Sequence, residues 1–221
     1  MHFCGGSLIY SETVLTAAHC VYGLKSSDLA VAVGIYHLNW NLNESNIFYV
    51  SKIIIHEKYS KYSVNNDIAI LKLIQSVNIS STVSTICLPI HKKELKNSYY
   101  KNLITSGWGS TDGENSPLSL SEDLKQTLLT IHDDKYCLKN FPFFEIKTMY
   151  CGSFKNSSLY SNICYGDSGG PLFYSENNKW ILYGITSLLM TINETLICDP
   201  SKPSFFSSVS GFLDWIANNL V

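Results

Sequence analysis

A serine at position 168 lies in a segment whose composition is suited to activating a hydroxyl group. Residues 165–171 read YGDSGGP and precede an apolar run, residues 172–174. Glycines permit backbone conformations closed to other residues, so successive N–H groups can converge beside the serine hydroxyl and bind an oxyanion. A glycine-rich hairpin with an incidental serine would not explain the aspartate and the proline. The segment therefore predicts a nucleophilic serine.

Two other segments could supply the base that a serine hydroxyl needs and the acid that orients this base. His19 ends the run LTAAH and is followed by Cys20, and a bridge from Cys20 back to Cys4 would clamp the loop. Asp67 stands before the apolar run IAIL, where a carboxylate must find a polar partner to offset its desolvation. A charged His19 is such a partner. Together the segments predict a Ser-His-Asp site.

The elements that must position these residues are mostly strands. Helical periodicity is convincing only at the end of the chain, where apolar spacings of three and four predict a helix over Ser210 to Leu220. Polar stretches are predicted as surface loops at residues 39–46, 90–102 and 111–123. Short apolar or alternating runs predict strands at residues 7–10, 14–16, 29–35, 48–55, 68–74, 103–108, 124–131, 171–174 and 180–187.

The composition excludes several classes of protein. Sixteen Lys and Arg against eighteen Asp and Glu give a formal net charge of -2, and 45% of the 221 residues are hydrophobic. Disordered chains have few hydrophobic residues, and nucleic-acid-binding proteins usually carry a basic excess, so we expect no nucleic-acid partner. No apolar run approaches the roughly 18 residues of a membrane-spanning helix, so we expect no membrane span. The length fits one large domain or two small ones.

The cysteines favour disulfides over metal binding. There are seven of them, with no CxxC pair, which argues against a zinc ribbon and against thioredoxin-like redox chemistry. One must be left over if the others pair. The remaining histidines have no metal-ligand spacing, so we expect surface or hydrogen-bonding roles for them, no metal site and no cofactor: His2, His37, His56, His91 and His132.

Four Asn-x-Ser/Thr sequons would accept glycans in a secretory compartment. They begin at Asn43, Asn78, Asn156 and Asn193. Such tripeptides are frequent by chance in a chain rich in asparagine and serine, so they support export only weakly.

These segments resemble the trypsin/chymotrypsin family of serine proteases, in which the catalytic residues follow the order His, Asp, Ser along the chain. The resemblance implies an all-β fold of two packed six-stranded antiparallel Greek-key barrels and a C-terminal helix. Residues 1–90 would form the first barrel, which is incomplete, and residues 103–221 the second barrel with the helix. Similar blocks cover nearly the whole chain: CGGSLI at 4–9, CLP at 87–89, GWG at 107–109, GITS at 184–187 and FLDWI at 212–216.

By this resemblance the chain is a serine endopeptidase that cleaves polypeptide substrates through an acyl-enzyme. Ser168 would attack the scissile carbonyl, and His19 would act as base and then as acid. Asp67 would orient the imidazole, with Ser187 as the serine that supports this aspartate. The N–H groups of Gly166 and Ser168 would hold the oxyanion.

The resemblance also implies the cysteine pairing and the cellular context. Cys87 resembles the cysteine that ties a protease domain to an upstream propeptide or light chain. Secretion as a zymogen, glycosylation and regulation by protease inhibitors are further implications. The implied disulfides are Cys4–Cys20, Cys137–Cys151 and Cys164–Cys198.

One departure from the family concerns activation. Mature family members begin with an Ile-Val-Gly-Gly type segment ahead of the block that opens this sequence. In the family, that freed amino terminus pairs with the aspartate before the nucleophile, which is Asp167 here, and shapes the oxyanion hole. We therefore expect a truncated gene model, fragment or splice form of a longer secreted zymogen. We expect little or no hydrolysis from the 221-residue chain and activity from an extended, processed form.

Another departure concerns the substrate pocket. Asn162, beside Ile163, stands where trypsin-like members have the aspartate that binds Arg or Lys. Residues Ser187, Leu188 and Leu189 replace a Ser-Trp-Gly wall, and Ser204 replaces another wall glycine. These changes predict a narrowed or apolar pocket that prefers small apolar residues, with a blocked pocket as the alternative.

Two other functions compete with the endopeptidase. A catalytically inactive homologue, acting as a binding or regulatory protein, is favoured by the altered pocket and by the missing amino-terminal segment. The intact His19, Asp67 and Ser168 favour the enzyme, because a chain released from catalytic selection commonly loses one of them. A small-ester hydrolase of another class would need its G-x-S-x-G elbow to lie in an alternating αβ pattern, and this sequence has no such pattern around its serine.

Overall fold

The protein is built from two antiparallel β structures with few helices. The computed structural model describes residues 2–38, 44–63, 65–90, 102–113, 119–154, 161–192 and 195–220. Within these residues eleven strands form a curled five-stranded sheet and a closed six-stranded barrel. The predicted fold class is confirmed, including the incomplete first barrel and the short C-terminal helix.

The first structure is an open half-barrel. Its strand order is β1-β2-β5-β4-β3, so β1 and β3 are the edges and the described strands do not close. Residues 86–88 run beside β1, where the Ile86 N–H donates to the Leu8 carbonyl (2.9 Å). The strand bounds are β1 Ser7–Tyr10, β2 Thr13–Thr16, β3 Ala30–Ala32, β4 Ile47–Ile55 and β5 Ala69–Leu73.

The second structure closes on itself in the order β10-β11-β8-β7-β6-β9. A tight turn at Asn177 and Asn178 joins β9 to β10, and both residues have positive φ (50° and 61°), which asparagine tolerates better than most residues. The strand bounds are β6 Asn102–Gly107, β7 Lys125–Ile131, β8 Met149–Phe154, β9 Pro171–Glu176, β10 Lys179–Leu188 and β11 Ser204–Ser208.

Three short helices complete the described structure: α1 Ala18–Val21, α2 Asp134–Asn140 and α3 Leu213–Asn218. The predicted closing helix over Ser210 to Leu220 was too long at both ends. Residues 209–212 form a 3-10 turn instead, in which the Ser208 hydroxyl accepts the Gly211 N–H (3.3 Å). The sequence patterns did not indicate α2, whose N-cap Asp133 accepts the Tyr136 N–H (2.7 Å).

The two halves share a hydrophobic core. The cluster beneath the first sheet includes Leu182 and Ile185 from β10, and Phe212 and Ile216 from the end of the chain. These side chains are nearly inaccessible, so separating the halves would expose apolar surface from both. The shared core therefore fixes the relative position of residues that the two halves contribute to a common site.

His56 lies between α3 and the end of β4. Its ring centroid is 5.2 Å from that of Phe212 and 5.1 Å from that of Trp215. Its Nδ1 accepts the Lys58 N–H (3.1 Å), so the ring is neutral in this arrangement. Burial lowers the pKa of His56, with Glu57 opposing and Lys58 adding to the effect.

Acid should destabilise the fold through His56. Because its pKa in the folded chain lies below that in the unfolded chain, the unfolded chain binds more protons, and stability falls as the pH falls below about 6.5. Urea unfolding at pH 7.5 and 5.5 measures this loss. The variant His56→Asn keeps an acceptor for Lys58 but does not titrate, so it should lose less stability between the two pH values. An equal loss in both proteins would contradict the prediction.

Candidate active site

The loop that carries His19 is held from both sides. It leaves β2 at Thr16 and enters α1 at Ala18, and the backbone passes through Ala17 and Ala18, which are fully buried. The Cys4–Cys20 disulfide anchors Cys20, the residue that follows His19. Small buried residues fix the backbone, while the imidazole itself remains 35% exposed.

Asp67 accepts hydrogen bonds from both the backbone and the side chain of His19. One carboxylate oxygen, Oδ1, accepts the His19 backbone N–H (2.8 Å), and Oδ2 accepts Nδ1–H (2.7 Å). The Asp67 side chain is only 4% exposed. Asn66 adopts a positive φ of 56°, which turns the chain just before the aspartate. The bond at Nδ1 fixes the tautomer, so the lone pair of neutral His19 is on Nε2.

Two serines of the six-stranded barrel also form hydrogen bonds with Asp67. The Ser187 hydroxyl, on β10, donates to Asp67 Oδ2 (2.6 Å), and the Ser207 hydroxyl, on β11, donates to the Asp67 carbonyl (2.7 Å). The buried carboxylate therefore accepts three hydrogen bonds, which offset the cost of removing it from water. Asp67 and its partners span the junction of the two halves.

The Ser168 loop packs directly against the His19 loop. The Gly5 N–H donates to the Ser168 carbonyl (2.7 Å), and the Gly169 N–H donates to the Thr186 carbonyl (2.8 Å). A Cβ atom at Gly169 would lie 3.2 Å from the Ala17 nitrogen and would clash with Gly5. Because Gly169 has a φ of +78° and no side chain, the backbone beside Ser168 can rest on the residues that precede His19.

Two N–H groups beside Ser168 are available to an anion. Gly166 adopts a φ of +93°, a conformation that favours glycine. Within the described chain, neither the Gly166 N–H nor the Ser168 N–H donates to a protein acceptor. These are the donors that the sequence predicts for an oxyanion, and that role stays a prediction.

His2 contacts this loop through a hydrogen bond, the kind of role expected for it, although the sequence did not indicate the partner. Its Nε2–H donates to the Gly166 carbonyl (2.9 Å), and its ring meets Trp108 edge-on at 5.7 Å between centroids. Burial lowers the pKa of His2. The two residues are 164 positions apart, so the only local signal was the position of the histidine just ahead of the CGG run.

The Asp167 side chain lies against Gly107 and Gly109, at the end of β6. Its carboxylate accepts the backbone N–H groups of Gly109 and Cys164 (2.9 Å each). Burial raises the pKa of Asp167, and these two hydrogen bonds oppose the rise. The carboxylate lines a cavity of about 470 Å³, and no ion pair to it occurs among the described residues. The glycines at 107 and 109 leave the space that it occupies.

Within the predicted pocket, Asn162 contacts both Ile163 and Ser204, and its polar groups are already paired. Asn162 Oδ1 accepts the Ile163 N–H (2.9 Å) and the Ser204 hydroxyl (2.7 Å), and Nδ2 donates to the Lys202 carbonyl (2.8 Å). Leu189 packs against the apolar cluster that contains Ile163. The floor formed by these groups offers no carboxylate to a cationic side chain.

Leu188 faces a different cluster from its neighbour. It packs with Phe141 and Phe143 against a core built around Phe205. The rings of Phe141 and Phe205 meet edge-on at 5.0 Å. Leu188 and Leu189 are thus both supported by aromatic or aliphatic packing.

The cysteines pair as the resemblance implies. The disulfides are Cys4–Cys20, Cys137–Cys151 and Cys164–Cys198, and Cys87 is free and exposed. Cys4, His19 and Cys20 form the one group of metal-ligand residue types that gathers among the described residues, and His19 Nε2 is 3.7 Å from Cys20 Sγ. Both sulfurs belong to the disulfide, so neither is a thiolate ligand.

A comparison with protein families places this architecture. The family model described as Trypsin matches residues 1–216. The chain belongs to the trypsin family. It therefore has the fold of a serine protease, a hydrolase class that acts on polypeptides. The three disulfides and the trypsin family are consistent with an extracellular location. None of the helices in the described ranges has the length and apolar character needed to cross a bilayer.

The His19–Asp67 bond predicts a proton signal that needs no turnover. A proton held between Nδ1 and a buried carboxylate is strongly deshielded, so we expect a far-downfield ¹H resonance. Asp67→Ala should abolish this resonance, whereas His56→Asn, which changes a histidine elsewhere, should leave it in place. One-dimensional NMR at low temperature measures it. A spectrum that is identical for the native chain and Asp67→Ala would contradict the geometry.

Proposed function

We propose that the chain is a serine endopeptidase domain in which Ser168, His19 and Asp67 act together. The observation that carries the proposal is the pair of hydrogen bonds from His19 to the buried Asp67 carboxylate. In an imidazole held in this way, the second nitrogen keeps a lone pair that can take a proton. The Ser168 loop packs against the backbone that precedes His19, and this supports the proposal that the serine hydroxyl is the nucleophile that the imidazole serves.

The proposed reaction is acyl transfer in two halves. Ser168 Oγ attacks the scissile carbonyl carbon as His19 Nε2 takes the hydroxyl proton. The oxyanion forms beside the N–H groups of Gly166 and Ser168 and collapses as the C–N bond breaks, with the proton passing from Nε2 to the leaving amine. Water then repeats the sequence on the acyl-enzyme, which releases the acid and restores Ser168.

Electrostatics favour the charged intermediate in this scheme. When His19 holds the proton, its imidazolium lies 2.7 Å from the carboxylate of Asp67, and this carboxylate is nearly closed to solvent. Attraction is stronger there than in water. Ser187 donates a hydrogen bond to the same carboxylate and so helps to hold it in place.

Asp167 is the proposed acceptor for an activating ammonium group, as in a zymogen. Its buried carboxyl has a raised pKa and lines a cavity of about 470 Å³, so a cation placed there would stabilise the ionised form. The residue is one position from Ser168 and one from Gly166. An ion pair at this point would therefore stiffen the loop that supplies both the nucleophile and the oxyanion donors.

The pocket supports a preference for small apolar side chains before the scissile bond. The amide of Asn162 is already hydrogen-bonded to the Ser204 hydroxyl and to backbone groups, and Leu189 contributes apolar surface. The polar groups of Asn162 and Ser204 give a cationic side chain no counter-charge to offset its lost hydration. The Asp167 carboxylate, which lines the same cavity as Asn162 and Ile163, is instead the proposed partner of the activating ammonium group. Cleavage of a peptide library scanned at that position measures the preference, and preferential cleavage after Arg or Lys would refute it.

Secretion, glycosylation and partner proteins belong to the same proposal. The exposed thiol of Cys87 is accessible to a disulfide with a propeptide or light chain. Protease inhibitors are the other expected class of partner, since they occupy the cleft that substrates use. Retention of the Cys87 thiol in the fully processed secreted protein, measured by mass spectrometry, would exclude the covalent partner.

A non-catalytic binding protein is the alternative function. The internal pairing of Asn162 with Ser204 favours it, because a pocket whose polar groups are satisfied can be closed to substrate. The intact catalytic residues oppose it. Covalent chemistry at Ser168 separates the two functions.

Labelling with a fluorophosphonate probe tests the enzyme. The chain, in the presence of excess isoleucyl-valine to supply an ammonium group, should form a 1:1 adduct at Ser168. Asp67→Asn should slow labelling by about 10⁴-fold, because the imidazole then takes the wrong tautomer. Intact-protein mass spectrometry measures the rate.

The controls separate catalysis from ordinary serine chemistry. Ser168→Ala should abolish the adduct, whereas Ser84→Ala, at an exposed serine outside the site, should change nothing. Native circular dichroism of each variant checks that it is folded. A folded chain that is not labelled, or one that is labelled equally after Ser168→Ala, would refute the endopeptidase.

Activation through Asp167 predicts a response to the ammonium group itself. Isoleucyl-valine should raise the labelling rate by roughly tenfold or more, since one charge-assisted hydrogen bond contributes about 1.5–3 kcal/mol. The N-acetyl dipeptide has the same apolar side chains without the charge and should have no effect. Asp167→Asn should remove the response. Equal stimulation by both dipeptides would contradict the ion pair.

A further inference from the structure

The loop that follows β5 presents one of the four sequons on a described, exposed surface. Asn78, Ile79 and Ser80 are all exposed and belong to no helix or strand. Neighbouring residues anchor the loop: Val77 is buried and its N–H donates to the Ser11 carbonyl (2.8 Å), and the Ser80 N–H donates to the Val83 carbonyl (2.9 Å). The asparagine is therefore held out from the surface between two fixed points.

The side chains of the sequon are accessible for recognition. Among the described residues, the Asn78 amide forms no hydrogen bond with the protein. Within the described part of the chain, Thr82 is the one hydrogen-bond partner of the Ser80 hydroxyl. This hydroxyl accepts the Thr82 N–H (3.3 Å) and lies equally far from Thr82 Oγ1. Between the two anchors, residues 78–80 belong to no helix or strand, so a transferase would not have to unfold regular structure to reach Asn78. The other three sequon asparagines, Asn43, Asn156 and Asn193, lie outside the described residues.

Two large apolar side chains near Asn78 in the sequence are exposed. Ile74 precedes Asn78 by four residues and is 63% exposed, and Ile79, inside the sequon, is 55% exposed. Isolated exposed apolar residues are ordinary, but both of these lie within reach of a bulky group attached to Asn78. A bulky hydrophilic group on Asn78 would cover them.

The position is remote from the candidate active site. In the antiparallel pairing of β2 with β5, Ala69 lies opposite Thr16 at the end near His19, and Lys72 lies opposite Thr13 at the other end. β5 has five residues, and at about 3.3 Å per residue it carries the chain roughly 16 Å from Asp67 before the loop begins. A large group on Asn78 would leave the cleft open to polypeptides.

We propose that Asn78 carries an N-linked glycan that shields Ile74 and Ile79. The inference rests on the secretory location proposed above. The donor is a lipid-linked oligosaccharide: Nδ2 of Asn78 forms a bond to the sugar C1 and loses one proton, while the bond from C1 to the lipid pyrophosphate breaks. No oxidant or reductant takes part. The Ser80 hydroxyl is the element of the sequon that the transferase reads.

Site-resolved mass spectrometry tests the modification. The chain is expressed behind a cleavable signal peptide in a eukaryotic secretory host, and secreted and retained protein are both treated with a glycan-releasing amidase in H₂¹⁸O. Most of the peptide containing Asn78 should carry the ¹⁸O-labelled aspartate that release creates. Asn78→Gln and Ser80→Ala should each abolish the label, and the matched variant Ser80→Thr should keep it.

A second measurement tests the shielding. Unglycosylated Asn78→Gln should aggregate at lower concentration than the native glycoprotein, and adding Ile74→Ser and Ile79→Ser should restore its solubility. Labelling of Ser168 should be the same with and without the glycan. An unmodified Asn78 in exported protein would overturn the proposal, and equal solubility of all forms would overturn the shielding. Because occupancy is measured without turnover, neither result depends on whether the chain is an enzyme.

Discussion

The structure depends on a buried carboxylate that has to be compensated. Asp67 is almost closed to water, and its charge would be costly without the donors that surround it. Two of these come from His19 in the same half of the molecule, and the third comes from Ser187 in the other half. The carboxylate that orients the imidazole therefore also links the two β structures. The fold and the proposed chemistry rely on the same few hydrogen bonds to Asp67.

Close approach of backbones is the second constraint, and glycine meets it. A Cβ at Gly5 would lie 2.9 Å from the Cα of Gly170, and one at Gly169 would clash with the carbonyl of Gly5. The loop containing Ser168 can therefore rest on the loop containing His19 only because these positions have no side chain. The same principle acts at Gly107 and Gly109, which leave room for the carboxylate of Asp167.

The residues of the candidate site could be chosen from the sequence because His19, Asp67 and Ser168 each stand in a segment with its own local signature. The structure brings His19 and Asp67 into contact, and the catalytic roles stay a prediction. The His2–Gly166 contact could not be predicted, since no local pattern links residues so far apart. The strands β8 and β11 were not predicted. All five residues of β11 are buried, but three of them are serines, so neither an alternating pattern nor an apolar run marks it. The short α3 shows the converse: its apolar stripe was real, but the 3-10 turn before it uses the same periodicity.

The most direct test is a crystal structure of the chain after phosphonylation. The account predicts a covalent bond from Ser168 Oγ to phosphorus, with the phosphoryl oxygen accepting the N–H groups of Gly166 and Ser168 at about 2.7–3.1 Å. His19 Nε2 should lie within hydrogen-bond distance of an oxygen bound to phosphorus, with Nδ1 still on Asp67. An adduct on another residue, or a His19 ring turned away from both Asp67 and the phosphorus, would contradict it.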